Sequence, residues 1–198
     1  MKEDTRVWDA TAANRTMYET KDDPRILYTD IEEDLSFKPD MFIDCRHTPF
    51  EDKSKHHIFF DPPHGWGRKK DGAIFSTPNR EVSNEKWPKY WRRAHPRYYG
   101  IDKYANKEEL TDFIEGALKE FYRVLADDGI LMVKWSEAGY PIKELRGAMV
   151  DWLILFDIPM RSVHEQAKQC YWIVAMKNLN PPPKPNMEQQ KINRLFTP

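Results

Sequence analysis

The chain has 198 residues, 40% of them hydrophobic and 32% charged, with a formal net charge of −1. That length can bury a sizeable core as one domain, and two cysteines without a CxxC pair exclude a disulfide framework and a cysteine-based zinc site. The six histidines have no metal-like spacing, no run approaches the roughly 20 apolar residues of a membrane span, and the charged start Met1-Lys2-Glu3-Asp4 has no signal-peptide core behind it. The expectation is a cytoplasmic protein with neither metal nor membrane contact, a monomer or a weak dimer.

In chain order, Arg6-Val7-Trp8-Asp9 predicts a short first strand ending in an acid. Ala10-Thr11-Ala12-Ala13-Asn14-Arg15-Thr16 is a turn of small residues, which lets a backbone approach a ligand closely, and a helix is expected after it. The domain is thus expected to begin almost at residue 1, with no room for an N-terminal module. Ile26-Leu27-Tyr28-Thr29-Asp30 is the second strand, and Asp9 to Asp30 spans 21 residues, one βαβ unit. Met41-Phe42-Ile43-Asp44 is the third strand, with Cys45 opening the loop behind it; Ile58-Phe59-Phe60-Asp61 is the fourth.

Each of these strands stops at an acid. A single such Asp is equally a helix N-cap or a solvated loop residue. Four in succession place Asp9, Asp30, Asp44 and Asp61 along the carboxyl rim of a parallel sheet, where ligands of open α/β folds bind. A crevice lined with acceptors suits ribose hydroxyls, amines or positive charge.

The fourth strand runs into Asp61-Pro62-Pro63-His64-Gly65-Trp66. Proline cannot donate a ladder hydrogen bond, so the strand must end there in a rigid loop. The Asp61 carboxylate and the Pro62 carbonyl are both acceptors, and together they can take the two hydrogens of one NH2 group. The nitrogen lone pair then points away, toward an electrophile. His64 can stack on a flat substrate. The plainer alternative is a strand end, a Pro-Pro turn and a surface histidine.

Residues 65–105 show no helical or strand periodicity, which is unusual for a connection in a compact domain. Over 65–107 there are eleven Lys and Arg against four acids, a local net of +7 that leaves −8 for the remainder. Lys69, Lys70, Arg92 and Arg93 are interleaved with rings such as Trp66 and Trp91. Cations neutralise phosphates and rings stack on unpaired bases, so the insert reads as nucleic-acid binding, with a solvated loop pinned by aromatics as the alternative.

Leu110, Phe113, Ile114, Ala117, Leu118, Phe121 and Leu125 predict a helix from Asn106 to Leu125, opened by an Asn106/Glu109 capping box. Asp127-Asp128-Gly129 turns the chain into a fifth strand, Ile130 to Trp135, in which Lys134 snorkels or lines the rim. A helix over 141–153, a strand near 156–163, a turn at 166–169 and a strand over 171–176 complete the chain; the Pro-rich tail begins at Asn178.

With these residues in place, 6–177 resembles the class I S-adenosylmethionine-dependent methyltransferases. More narrowly it is similar to the small, phage-type amino-methyltransferases of nucleic acids. Asp61-Pro62-Pro63-His64 looks like that family's Asp/Asn-Pro-Pro-aromatic loop, and Asp9 to Asn14 like its methionine-binding loop. The resemblance implies a Rossmann-like α/β fold in residues 1–177: a mostly parallel seven-stranded sheet with a C-terminal antiparallel hairpin, the insert at 65–105, and a tail over 178–198. It implies S-adenosylmethionine as cofactor, with its methionine part over Asp9, Ala10, Thr11, Ala12, Ala13 and Asn14, its ribose on Asp30 and its adenine near Asp44 and Cys45. It implies catalysis by Asp61, Pro62, Pro63 and His64, and a strand of nucleic acid held by Trp66, Lys69, Lys70, Trp91, Arg92 and Arg93.

The implied activity is methylation of an exocyclic base amine, adenine N6 in DNA ahead of cytosine N4 or an RNA base. The chain departs from the family at Ala13, where a Gly is usual, and at His64, where Tyr, Phe or Trp is usual. A non-catalytic nucleic-acid-binding protein on a degenerate methyltransferase fold is the rival, and a methyltransferase of protein side-chain amides is a third alternative.

Overall fold

A computed structural model describes residues 4–33, 35–66, 103–137, 140–160 and 169–180, together with the backbone of three short strands between 69 and 82. Its centre is a seven-stranded sheet built from β1 (Val7–Asp9), β2 (Ile26–Asp30), β3 (Met41–Phe42), β4 (Lys55–Phe60), β8 (Leu125–Ser136), β9 (Trp152–Met160) and β10 (Cys170–Lys177). The spatial order is β3-β2-β1-β4-β8-β10-β9. The first five of these run parallel, while β10 is antiparallel to both β8 and β9. This is an α/β architecture compatible with a Rossmann-like fold and carries the expected antiparallel strand pair at its end. The chain moves outward from β1 through β2 to β3, then returns to pair β4 on the other side of β1. That reversal makes the β1/β4 edge the topological switch point of the sheet.

One helix covers the centre of the sheet. Helix α1 (Lys107–Val124) opens on Asn106, whose side chain accepts from the Glu109 amide at 2.8 Å, and Glu109 reaches back to the Ala105 amide at 2.7 Å. Its buried stripe is Leu110, Phe113, Ile114, Ala117, Leu118, Phe121 and Val124, the residues whose spacing predicted it. Phe121 packs edge-on against Trp8 of β1 at 5.3 Å and Phe60 of β4 at 4.8 Å. Trp8, Leu27, Ile58, Phe60, Leu131 and Val133 are fully buried, and strand alternation together with the register puts them on this helix-covered face.

The expected turn at 127–129 appears as a bulge. Lys55 pairs with Leu125 and His57 with Ile130, so residues 126–129 loop out opposite His56. A Cβ at Gly129 would lie 2.7 Å from the Leu125 Cδ1, so any other residue there would have to push the Leu125 side chain aside.

Four expectations are corrected. Residues 10–25 form turns rather than a helix, with Arg15 as their anchor. The Arg15 side chain is buried over the Tyr28 ring, donates to the carbonyls of Lys21 and Lys38 and pairs with Asp22. These carbonyl contacts bind the chain to its side chain instead of to a helical ladder. The third strand stops at Phe42, so Asp44 lies beyond it. The second helix, α2 (Ile142–Ala148), ends sooner than expected because β9 starts at Trp152 rather than near 156, while residues 161–163 of the expected strand lie outside the described residues. The insert is not devoid of strands: β5 (Lys69–Lys70), β6 (Ala73–Phe75) and β7 (Glu81–Val82) form a small antiparallel sheet.

The expected turn at 166–168 and the tail beyond Asn180 lie outside the described residues. No described helix is long and apolar enough to cross a membrane.

Candidate active site

The turn after β1 crosses the switch point and is fastened to both neighbouring strands. The Ala10 amide donates to the Phe59 carbonyl on β4 at 2.9 Å, and the Ala12 amide donates to the Thr29 carbonyl on β2 at 2.9 Å. Thr11 lies between them, and its Oγ1 accepts from the Asp61 amide at 2.8 Å. The predicted cofactor loop and the predicted catalytic loop are thus joined by a direct hydrogen bond.

Ala13, the position where the resembled family usually has Gly, has a φ of 43°. That is left-handed backbone, costly for a side-chain-bearing residue. It turns the Ala13 amide onto Asp30 Oδ2 at 2.9 Å, while Asp30 Oδ1 accepts from the Glu32 amide at 2.8 Å. Asn14 closes the turn by accepting from the Ser36 amide at 2.8 Å.

Asp9 is fully buried. Its Oδ1 accepts from the Thr11 amide at 3.1 Å, and its Oδ2 has no hydrogen-bond partner among the described residues. Burial pushes its carboxyl up to about 7, only partly offset by the Thr11 amide and the nearby Tyr18 hydroxyl, with the charges of Asp61 and Asp30 adding to the rise. Three of the four predicted rim acids therefore stand close enough to feel one another.

Asp44 is set apart by a bidentate partner. Arg46 pairs with it at 2.6 Å and holds its carboxyl below the usual range. Cys45 beside it is buried, and burial raises its thiol. Lys103 closes this side of the rim through Glu32 at 3.4 Å, and Tyr104 packs on Phe113 at 5.2 Å.

Asp61 stands at the end of β4 with its side chain 17% exposed. Its Oδ2 accepts from Lys134 Nζ at 2.6 Å, and its Oδ1 lies 3.3 Å from His64 Nε2. Burial alone would raise its carboxyl, but His64 and Lys134 outweigh it and hold Asp61 below the ordinary carboxylate range. Asp61 is therefore ionised at neutral pH, an acceptor with no proton to give.

His64 is buried rather than displayed at the surface. It packs edge-on to Trp135 at 5.4 Å, and its Nδ1 has no hydrogen-bond partner among the described residues. Trp135 donates to the Tyr140 carbonyl at 3.0 Å, and Trp66 meets the Tyr140 ring at 6.4 Å. The loop after β4 thus rests on a wall of rings.

Sequence reasoning left Lys134 either to snorkel or to line the rim, without its partner, and passed over Tyr18, Arg46 and Tyr104. A lysine inside an apolar strand was the visible signal for Lys134. Of the predicted strand-holding residues, Trp66 is half-buried against the core. The side chains of Lys69 and Lys70, and Trp91, Arg92 and Arg93 altogether, lie outside the described residues.

Asp9 and Asp30 offer the acceptors that S-adenosylmethionine, the cofactor expected from the sequence, would need. A buried carboxylate oxygen without a partner, on a residue whose burial opposes charge, suits an ammonium such as that of the cofactor's methionine part. Asp30 retains lone pairs on both oxygens for a ribose diol. No protein-family model matches the chain, and no curated protein matches its sequence.

Proposed function

We propose that this chain is a class I S-adenosylmethionine-dependent methyltransferase acting on an exocyclic base amine of nucleic acid, with adenine N6 in DNA as the first substrate to test. The observation that supports this most is the Asp61-Pro62 corner at the switch point of the sheet, hydrogen-bonded through Thr11 to the turn after β1. An ionised acceptor beside a turn suited to the cofactor is what amine methylation needs.

When bound, S-adenosylmethionine supplies a methyl group on a sulfonium, an electrophile for a nitrogen lone pair. The turn Asp9 to Asn14 would hold its methionine part, Asp30 its ribose, and Asp44 with Cys45 its adenine. Asp61 and the Pro62 carbonyl accept the two hydrogens of the base amine and fix the direction of its lone pair. Positioning of this kind accounts for much of the rate of a transfer between two held partners. Pro63 stiffens the corner, and His64, seated on Trp135, sets the floor beneath the base. The base reaches such a corner from a single strand or after leaving its stack. The basic insert that follows the loop would hold the phosphates on either side.

The test is incubation of the full chain with methyl-labelled S-adenosylmethionine and, separately, duplex DNA, single-stranded DNA and RNA, with nucleosides resolved by mass spectrometry. Label on an adenine or cytosine exocyclic amine supports the proposal and identifies the substrate. Cofactor binding without label in any nucleic acid refutes base-amine methylation, and label in protein would put a side-chain amide in its place. Neither label nor binding favours a non-catalytic nucleic-acid-binding role.

A further inference from the structure

Lys134 lies on β8, which is paired on both sides by β4 and β10. Its side chain is 23% exposed, and its ammonium is the donor already seated on Asp61 Oδ2. His64 faces the other oxygen. In the free protein, both oxygens of the amine acceptor therefore face a nitrogen of the chain itself. A base amine that takes Asp61 exchanges one N–H donor for another. The exchange leaves an ammonium in a half-buried position, where an unpaired charge is costly.

We infer that Lys134 is a specificity-determining residue: its ammonium holds Asp61 until a base arrives that carries both an amine for Asp61 and a ring acceptor beside that amine for Nζ. This rests on the base-amine reading above. The chemistry singles out a class of ligand. Adenine carries ring nitrogens on both sides of its amine, and cytosine carries one next to its own. A base with either nitrogen meets two groups, Asp61 as acceptor and Lys134 as donor. A lysine suits the second task because a compact ammonium on a four-carbon stem can shift between neighbouring acceptors. The strand beneath stays fixed by its two ladders. The arrangement also explains why a cation sits in a site whose task is to collect an amine.

The experiment is equilibrium binding of short single-stranded DNA to the full chain. Four oligonucleotides differ at one central base: adenine, 1-deazaadenine, 7-deazaadenine and purine, which lacks the amine. Wild type is expected to lose roughly ten- to a hundredfold in affinity for one of the two deaza bases, the scale of a hydrogen bond to a charged group. Lys134→Met is expected to reduce that penalty to less than about twofold while keeping a penalty for purine. A deaza penalty that persists in the Met variant overturns the inference, as does wild type that binds both deaza bases as well as adenine. Purine bound as tightly as adenine by wild type, or no binding of any oligonucleotide, overturns the base-amine reading itself.

Acetylation of Lys134, followed by mass spectrometry, tests the wild-type chain without any variant. Saturating adenine oligonucleotide is expected to leave Lys134 protected, and the critical deaza oligonucleotide to expose it. Equal protection by all three amine-bearing oligonucleotides contradicts the exchange.

Discussion

The Asp61 amide donates to Thr11 Oγ1 at 2.8 Å, across the edge where β1 and β4 meet. Among the described residues, this hydroxyl is the side-chain bridge between the turn after β1 and the Asp61-Pro62 corner, and it sets how far apart the two loops stand. Thr11→Val keeps the shape and removes the acceptor. It is expected to cost about 1–2 kcal/mol and to speed hydrogen exchange at the Asp61 amide, whereas Thr11→Ser restores both. Denaturant unfolding and amide exchange check this. Unchanged exchange in the Val variant would mean that the bridge holds nothing.

Ala13 carries a positive φ on which the Ala13–Asp30 hydrogen bond depends. Ala13→Gly removes a left-handed cost of about 1 kcal/mol and adds freedom to the unfolded chain. The denaturation midpoint is expected to stay level or rise, unlike that of Ala117→Gly inside α1, which should fall. A loss of more than about 1 kcal/mol at Ala13 would show that the methyl group matters more than the backbone.

Asp9 makes stability depend on pH. Its folded carboxyl is pushed up to about 7 from an ordinary value of 3.8, chiefly by burial. Between those values the folded chain holds a proton that the unfolded chain has released. The contribution of this group to stability therefore falls as pH rises from about 4 to about 7. Asp9→Asn, which cannot ionise, should flatten that part of the pH–stability curve and be the more stable of the two above pH 7. Parallel curves for the two proteins would show that burial at Asp9 carries no such penalty.

Much of this was legible in the sequence because burial and chain direction leave marks there. The stripe from Leu110 to Phe121 could only be one face of a helix, and the short apolar runs stopping at Asp9, Asp30 and Asp61 are strands that end at the rim. Asp44 misled because Ile43 lengthens the apolar run past the last paired residue, Phe42. The turns over 10–25 misled because a βαβ spacing implies a helix, while Arg15, Asp22 and the carbonyls of Lys21 and Lys38 supply another way to satisfy the same chain. The small sheet of the insert has too few apolar residues to show an alternation. The Lys134–Asp61 pair spans 73 residues, and only the register of β4 against β8 brings it together.

Glu120 joins α1 to the connection between β3 and β4. It accepts from the Thr48 amide at 3.0 Å, from Thr48 Oγ1 at 2.6 Å and from Arg123 Nη2 at 2.6 Å. Arg123 continues to the Phe50 carbonyl at 2.8 Å. Glu120→Ala strips acceptors from several donors at once and is expected to cost about 2 kcal/mol in denaturant unfolding. A cost within about 0.5 kcal/mol would class the network with ordinary surface pairs.

The most direct test of the proposed chemistry compares wild type with Asp61→Ala in methyl transfer from labelled S-adenosylmethionine to nucleic acid, with cofactor affinity measured in parallel by calorimetry. Transfer by wild type, none by the variant and nearly equal cofactor affinity are expected, because in the proposed mechanism Asp61 collects the amine. Wild-type turnover by Asp61→Ala would contradict the assignment of the amine to Asp61 and remove the basis of the mechanism.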